Sequence, residues 1–157
     1  MAEETAMTNA GKISVWTIGY SNRSVETFLE LLAEHKIQVL VDVRSFPTSK
    51  IEHFKREKME RWLADTGIEY VWLGKELGGY RRGGYKAHMR TNLFKEGIEK
   101  LLTIAQQKRT CIMCTETNPK YCHRCFISAY LERKGVTVNH IVAKGQANLL
   151  LFKAAKD

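Results

Sequence analysis

The chain has 157 residues, of which 44% are hydrophobic and 27% charged, and 25 basic against 17 acidic side chains give it a net charge of +8. A chain of this length can bury a core large enough to fold without a disulfide or a structural metal. Its apolar runs are far shorter than the ~20 residues of a membrane span, which argues against a membrane protein, and we expect a cytoplasmic one. The positive charge favours anionic partners, either a small anionic molecule or nucleic acid.

Strand and helix patterns alternate along the chain after a polar segment, residues 1–12, which we predict to be a disordered leader. Runs rich in β-branched and aromatic residues predict five strands, at 13–18, 37–43, 69–73, 110–115 and 136–142. Apolar residues at helical spacing predict four helices, at about 25–32, 53–65, 94–105 and a last one that ends near 134. The alternation predicts that residues 13–157 are one α/β domain, with three layers and a mostly parallel sheet of about five strands.

Polar side chains follow the first two predicted strands. Ser21 and Asn22 come after the first strand, and Asp42 and Arg44 come at the end of the second. Ligands of open α/β sheets bind beyond the carboxyl ends of the strands, so all four residues are candidates for a site. A carboxylate within an apolar strand is unfavourable unless it is paired. For Asp42, an ion pair with a nearby arginine and a role in the site therefore both stay open.

Residues 74–90 form the longest stretch without a helix or strand pattern, with five glycines, two tyrosines and five basic side chains. Long loops in compact domains are typically functional or disordered. Glycine lets a backbone approach a ligand closely, arginine binds phosphate or carboxylate, and tyrosine stacks on a base. We predict that Arg81 binds an anion here, with a plain surface loop as the alternative.

Four cysteines, Cys111, Cys114, Cys122 and Cys125, are spaced like the ligands of a zinc site. The first two lie within a predicted strand, however, where three steps of ~3.3 Å separate them by about 10 Å with side chains on opposite faces. Thiolates so placed can neither share one tetrahedral zinc nor form a disulfide. We predict no cofactor, since a four-cysteine zinc site requires that the strand prediction be wrong.

Under the strand interpretation, Cys114 ends the fourth strand, and Cys122, His123 and Arg124 fall in the first turn of the next helix. The amino end of a helix favours anions and lowers the pKa of a thiol. A nucleophile, an acid/base group and an anion-binding group can thus meet at one edge of the sheet.

These positions define the predicted site. The candidate catalytic residues are the thiols and their proton-transfer partners: Cys114, Cys122, Glu116, His123 and Asp42. The candidate anion-binding residues are Arg44, Arg81, Arg124, Ser21 and Asn22. Cys114 is the nucleophile or redox thiol of this hypothesis, and Cys122 is its resolving partner or a second ligand.

Four segments together resemble the domain of unknown function family numbered 488. They are TIGYSNRS at 17–24, LVDVRSFPTS at 40–49, LGG at 77–79 followed by Arg81, and C-T-E-x-x-P-x-x-C-H-R at 114–124. The likeness covers about residues 13–142 and implies a compact cytoplasmic α/β domain of prokaryotes whose activity is unassigned. The matching residues are Asp42, Arg44, Cys114, Glu116, Cys122, His123 and Arg124.

The leading hypothesis is an enzyme, a hydrolase or transferase with a cysteine thiol, that acts on a nucleotide or a nucleic-acid component. One alternative is a non-catalytic module that binds nucleic acid through the positive charge and residues 74–90. Another is a redox or metal-binding protein that uses Cys114 and Cys122. The sequence does not predict the oligomeric state.

Overall fold

A computed structural model describes residues 12–116 and 123–142. Within them, five parallel strands form a single sheet in the order β3-β2-β4-β1-β5. The strands are β1 Ser14–Gly19, β2 Val39–Asp42, β3 Glu69–Trp72, β4 Thr110–Cys114 and β5 Thr137–Ile141. The predicted α/β class with a parallel sheet is therefore confirmed.

The described residues form six α-helices and one 3₁₀ helix, Glu52–Phe54. The α-helices are α1 Val25–Glu34, α2 Arg56–Asp65, α3 Gly74–Leu77, α4 Tyr85–His88, α5 Asn92–Ala105 and α6 Arg124–Arg133. Ser24 and Thr91 cap α1 and α5, since each side-chain oxygen accepts a hydrogen bond from a backbone N–H of the first turn. Within the described residues, none of these helices combines the length and the apolar character needed to cross a bilayer.

The structure differs from the sequence prediction at residues 74–90, which contain α3 and α4 where no regular structure was expected. Each helix is a single turn, and one turn is too short to produce a recognisable apolar period. Residues 1–11 of the predicted leader, Cys122 and the tail at 145–157 lie outside the described residues.

Helices cover both faces of the sheet, which gives the predicted three layers. On one face, α1 and α2 contribute Phe28, Leu32, Met59 and Leu63 to a buried cluster that also contains Cys111. On the other face, α3 to α6 contribute a second cluster that contains Cys114. Each large apolar side chain buried in this way stabilises the fold by about 1.5–3 kcal/mol.

The chain crosses the sheet in a way that opens a crevice beyond β4. The connections after β1 and β2 lead to α1 and α2 on one face, whereas the connection after β4 leads to α6 on the other. Because β4 lies between β1 and β2, the chain segments at this edge diverge to opposite faces. Such a switch point is where open α/β sheets bind their ligands.

Candidate functional site

A cavity of about 520 Å³ lies in this crevice. Its lining comes from the ends of β2 and β4, the segment after α3 and the residue before α6: Arg44, Phe46, Thr48, Gly79, Tyr80, Cys114, Thr115, Glu116 and His123. The volume is that of a small-molecule site. The cavity is therefore bordered by residues from the ends of the second and fourth strands, two of the three strands at which the sequence predicted a site.

Cys114 and His123 contact each other in the wall of this cavity. The Sγ atom of Cys114 lies 3.7 Å from Nδ1 of His123, and Nε2 of His123 lies 2.9 Å from the carbonyl oxygen of Val43. A carbonyl oxygen can only accept a hydrogen bond, so Nε2 carries the ring proton. In the neutral imidazole, Nδ1 is then an acceptor that faces the thiol.

The surroundings of His123 keep the ring neutral. Burial is the largest effect and lowers its pKa. The hydrogen bond to the Val43 carbonyl opposes it, the charges of Arg124 and Arg81 lower the pKa further, and Asp42 has the smallest, opposing effect. A neutral imidazole with its free nitrogen towards a thiol is the arrangement of a general base. The Cys114 thiol, the His123 imidazole and the Val43 carbonyl thus have the relative placement that a nucleophile, a base and an orienting group require, and catalysis by them stays a prediction.

Two adjacent glycines let the segment after α3 approach this pair. A Cβ atom on Gly79 would lie 2.8 Å from His123 Nδ1, and one on Gly78 would lie 2.2 Å from Ser45 Oγ. Arg81 secures the same segment, because its guanidinium donates to the carbonyl oxygens of Gly78, Gly74 and Lys75. Its contacts are thus with the backbone, and its charge reaches the site only through space; direct anion binding by Arg81 stays a prediction.

Asp42 and Arg44 form a buried ion pair directed at the α1 and α2 face. Arg44 Nη2 donates to Asp42 Oδ2 at 2.7 Å, and Nε donates to both carboxylate oxygens. The remaining hydrogens of Arg44 point at the carbonyl oxygens of Thr48 and Phe54 and at the sulfur of Met59. All five N–H donors of the guanidinium are thereby engaged.

Tyr70 completes the cluster, because its hydroxyl donates to Asp42 Oδ2 at 2.5 Å. Burial and the Asp42 charge raise the pKa of Tyr70, so the hydroxyl keeps its proton. Burial acts to lower the pKa of Arg44, but its hydrogen bonds and charge attraction to Asp42 outweigh burial and raise that pKa. The geometry is that of the ion-pair alternative for Asp42, and catalysis or anion binding by this pair stays a prediction.

Arg124 is completely buried behind the cavity rather than in its lining. It donates to the hydroxyl oxygen of Thr17 at 3.0 Å and to the carbonyl oxygen of Glu116. The Thr17 hydroxyl is also hydrogen-bonded to Nδ1 of His140 at 2.5 Å, and burial together with the Arg124 charge lowers the pKa of His140 to about 4. Arg124 therefore anchors the segment after β4 and places a positive charge behind Cys114 and His123.

Ser21 and Asn22 lie at the end of β1, next to the cavity. Ser21 has a left-handed backbone (φ 44°), and its N–H donates to the carbonyl oxygen of Thr115 at 2.7 Å. Asn22 is exposed. Neither residue is among the described residues that line the cavity, so their binding role stays a prediction.

Sequence reasoning missed several contributors to the site. One is the Val43 carbonyl, which orients His123. Another is the hydrogen-bonded pair Thr17–His140. Neither was predicted, because backbone oxygens and polar residues of the core belong to no sequence motif. Arg23 was also missed. Its guanidinium donates to the carbonyl oxygens of Gly19 and Val142, and burial and the nearby Arg124 lower its pKa, which marks a second partly buried cation at this edge.

Metal binding finds no support within residues 12–116 and 123–142, where no three His, Cys, Asp or Glu side chains group as ligands. Cys111 and Cys114 belong to opposite core clusters, as their strand spacing predicted, so they cannot share an ion. The structure says nothing about Cys122, which lies outside the described residues.

Comparison with known proteins gives one match. No curated protein and no solved structure matches the chain. The family model described as "Domain of unknown function DUF488" matches residues 24–131, which is more than half of the sequence and includes the cysteine, histidine and arginine of the site. The chain therefore belongs to the DUF488 family.

Proposed function

We propose that the protein is an enzyme in which the Cys114 thiol is the nucleophile and His123 is the general base. The observation that carries the proposal is the Cys114–His123 contact of 3.7 Å in the wall of a cavity, with His123 held in one tautomer by Val43. The reaction class is hydrolysis or group transfer on a nucleotide or nucleic-acid component. A cytoplasmic location, where thiols stay reduced, suits this chemistry.

The proposed reaction has two steps. In the first, His123 Nδ1 takes the thiol proton while sulfur forms a bond to the electrophilic atom of the substrate. The bond to the leaving group breaks with its electron pair, and His123 passes the proton to that group. In the second, water or an acceptor hydroxyl attacks the bound group, and its proton returns through His123 to the Cys114 sulfur.

Positive charge around the cavity supports an anionic substrate. Arg124 and Arg81 both lower the pKa of His123, so their field acts at the reacting atoms. The amino end of α6, which begins at Arg124, adds a partial positive charge at the same place. Glu116 lines the cavity with an exposed side chain, and we assign it the orientation of the attacking water or acceptor.

The first test measures thiol reactivity by alkylation with iodoacetamide, followed by peptide mapping. At pH 7 we expect Cys114 to react, and the His123→Asn variant to react at least about tenfold more slowly at that position because the base is gone. Cys125→Ser is the matched control, since Cys125 is half-buried on α6, and it should leave the Cys114 rate unchanged.

The second test is catalytic. A panel of nucleotide and oligonucleotide esters and conjugates should include a substrate that the wild type and Cys125→Ser turn over and Cys114→Ser does not. If turnover survives in Cys114→Ser, the thiol mechanism is wrong. A Cys122→Ser variant distinguishes this mechanism from a redox pair. In a redox pair, substitution of either cysteine abolishes activity, whereas the proposed mechanism requires only Cys114.

A further inference from the structure

Two aromatic rings project from the rim of the catalytic cavity. Phe46 and Tyr80, 66% and 81% exposed, are the exposed large hydrophobic side chains of the described part of the chain. Their ring centroids lie 5.7 Å apart at 42°, and both side chains line the same cavity as Cys114. Apolar surface left exposed beside a reactive site is typical of a binding surface.

A second cavity, of about 330 Å³, lies between α4 and α6. It is lined by three exposed cations and four partly buried residues: Lys86, Arg90 and Arg133, with Met89, Phe126, Ala129 and Tyr130. The lining includes no acidic side chain, and none of the three cations is in an ion pair with another described residue. We call this surface the basic groove.

The basic groove and the catalytic cavity are separated by one aromatic ring. The ring of Tyr85 stacks on Phe126 of the groove, with centroids 5.6 Å apart, and lies 5.5 Å from the ring of His123 in the cavity. Tyr85 is itself buried, with its hydroxyl donating to the Leu77 carbonyl oxygen. Tyr85 therefore packs against a lining residue of each cavity, which makes the basic groove the neighbour of the catalytic cavity.

From this arrangement we propose that the substrate is single-stranded nucleic acid. One base enters the cavity beneath Phe46 and Tyr80, and the phosphates beside it lie on the basic groove. The proposal rests on the proposed function, since it names the substrate of that same site.

Charge and shape both favour this ligand. Aromatic rings and three neighbouring cations that have no ion-pair partner among the described residues match the alternating bases and phosphates of a single strand. A double helix keeps its bases stacked and paired, out of reach of a thiol inside a cavity, so the single strand is the form that fits.

Binding can be measured apart from chemistry with the Cys114→Ser variant and a fluorescein-labelled 12-mer of thymidine, by anisotropy over a salt series. The variant that also carries Lys86→Ala, Arg90→Ala and Arg133→Ala should bind at least tenfold more weakly. Its slope of log affinity against log salt should be smaller by about 2, the value for three lost phosphate contacts. The charge-matched control removes three cations elsewhere, the half-buried Lys58 and the exposed Arg61 and Lys108, each replaced by alanine, and should lose much less affinity.

The aromatic rim is tested in the same assay. Phe46→Ala and Tyr80→Ala should each weaken binding at least about fivefold without changing the salt slope, because stacking involves no ions. Circular dichroism melting confirms that each variant is folded.

Three outcomes would overturn the proposal. The first is an equal loss of affinity in the groove variant and in the charge-matched control. The second is a duplex that binds as tightly as the single strand. The third is thymidine monophosphate that binds as tightly as the 12-mer. None of these concerns thiol reactivity, so failure here is distinct from failure of the proposed mechanism. Conversely, if the single strand binds as expected but Cys114 is unreactive, the proposed ligand is supported and the proposed enzyme mechanism is wrong.

Discussion

Asp42 and Cys114 lie at the carboxyl ends of neighbouring strands, β2 and β4, and point to opposite faces of the sheet, although Arg44, the partner of Asp42, also borders the cavity of Cys114 and His123. The Asp42–Arg44 pair is buried with every guanidinium hydrogen engaged. The Cys114–His123 pair opens into a cavity, and its imidazole has an acceptor nitrogen directed at a thiol. Both pairs carry groups that are common in active sites.

The difference between them teaches which polar clusters can do chemistry. A saturated cluster holds the chain in place, because any ligand would have to displace an existing hydrogen bond in a buried setting. A cluster that can accept a proton and borders a cavity can exchange that proton with a substrate. Breaking each cluster should therefore affect different properties of the protein.

The largest effect is expected from Asp42→Asn. It leaves the Arg44 cation buried without its carboxylate, which should lower the free energy of unfolding by about 3–5 kcal/mol. Urea denaturation followed by circular dichroism measures this. The control is Glu60→Gln, which removes an ion pair with Arg56 whose side chains are 47% and 41% exposed, and should change stability by less than about 1 kcal/mol. Equal effects of the two substitutions would contradict a structural role for Asp42.

His140 should make the β4–β1–β5 side of the sheet sensitive to acid. Its pKa is about 4 in the folded protein, against an ordinary value near 6.5, so the unfolded chain takes up a proton first as the pH falls. The contribution of the neutral His140 to the free energy of unfolding is fully present above pH 6.5 and is lost as the pH falls towards 4. Between pH 7 and pH 4.5, the wild type should lose about 2–3 kcal/mol more than His140→Gln.

The measurement is urea unfolding at the two pH values. Thr137→Val, at an exposed position of the same strand, is the control and should keep the wild-type pH dependence. If His140→Gln keeps it too, the buried neutral histidine is not the source of the acid sensitivity.

Gly79→Ala tests whether close approach of the backbone positions His123. A Cβ atom at this position would lie 2.8 Å from Nδ1, so the ring or the backbone at Gly79 must shift, which disturbs the placement of Nδ1 beside the thiol. We expect the alkylation rate of Cys114 to fall about tenfold with a stability loss near 1 kcal/mol. Lys75→Ala, which truncates an exposed side chain on the preceding helix α3, should leave the rate unchanged. An unchanged rate in Gly79→Ala would mean that the pair does not depend on this contact.

The smallest effect is expected at Cys111, which faces the same side as Asp42. Burial raises the pKa of its thiol, so iodoacetamide should not label it in the folded protein. Mass mapping with and without urea should show labelling of Cys111 only after unfolding, while Cys114 is labelled in both conditions. Labelling of Cys111 in the folded protein at the rate of Cys125 would contradict the assignment of the two faces.

Much of the fold could be predicted from local pattern. Alternating strands and helices predicted the parallel sheet, and a two-residue strand period predicted that Cys111 and Cys114 face opposite sides. Residues 74–90 were less predictable, because α3 and α4 depend on contacts such as Tyr85 with the Leu77 carbonyl rather than on an apolar period.

The sequence by itself determined the α/β class, the family likeness and the presence of a thiol, an imidazole and guanidinium groups at one edge of the sheet. Only the tertiary structure decided which of these groups have all their hydrogen bonds made within the protein. The Val43 oxygen that orients His123 lies 80 positions away in the chain, and Phe46 meets Tyr80 across two separate segments. Such contacts depend on how strands and loops meet in space, which no local spacing of residues encodes. Of the zinc-like cysteine spacing, the described residues contain Cys111 in one core cluster, Cys114 beside the imidazole of His123, and Cys125 half-buried on α6.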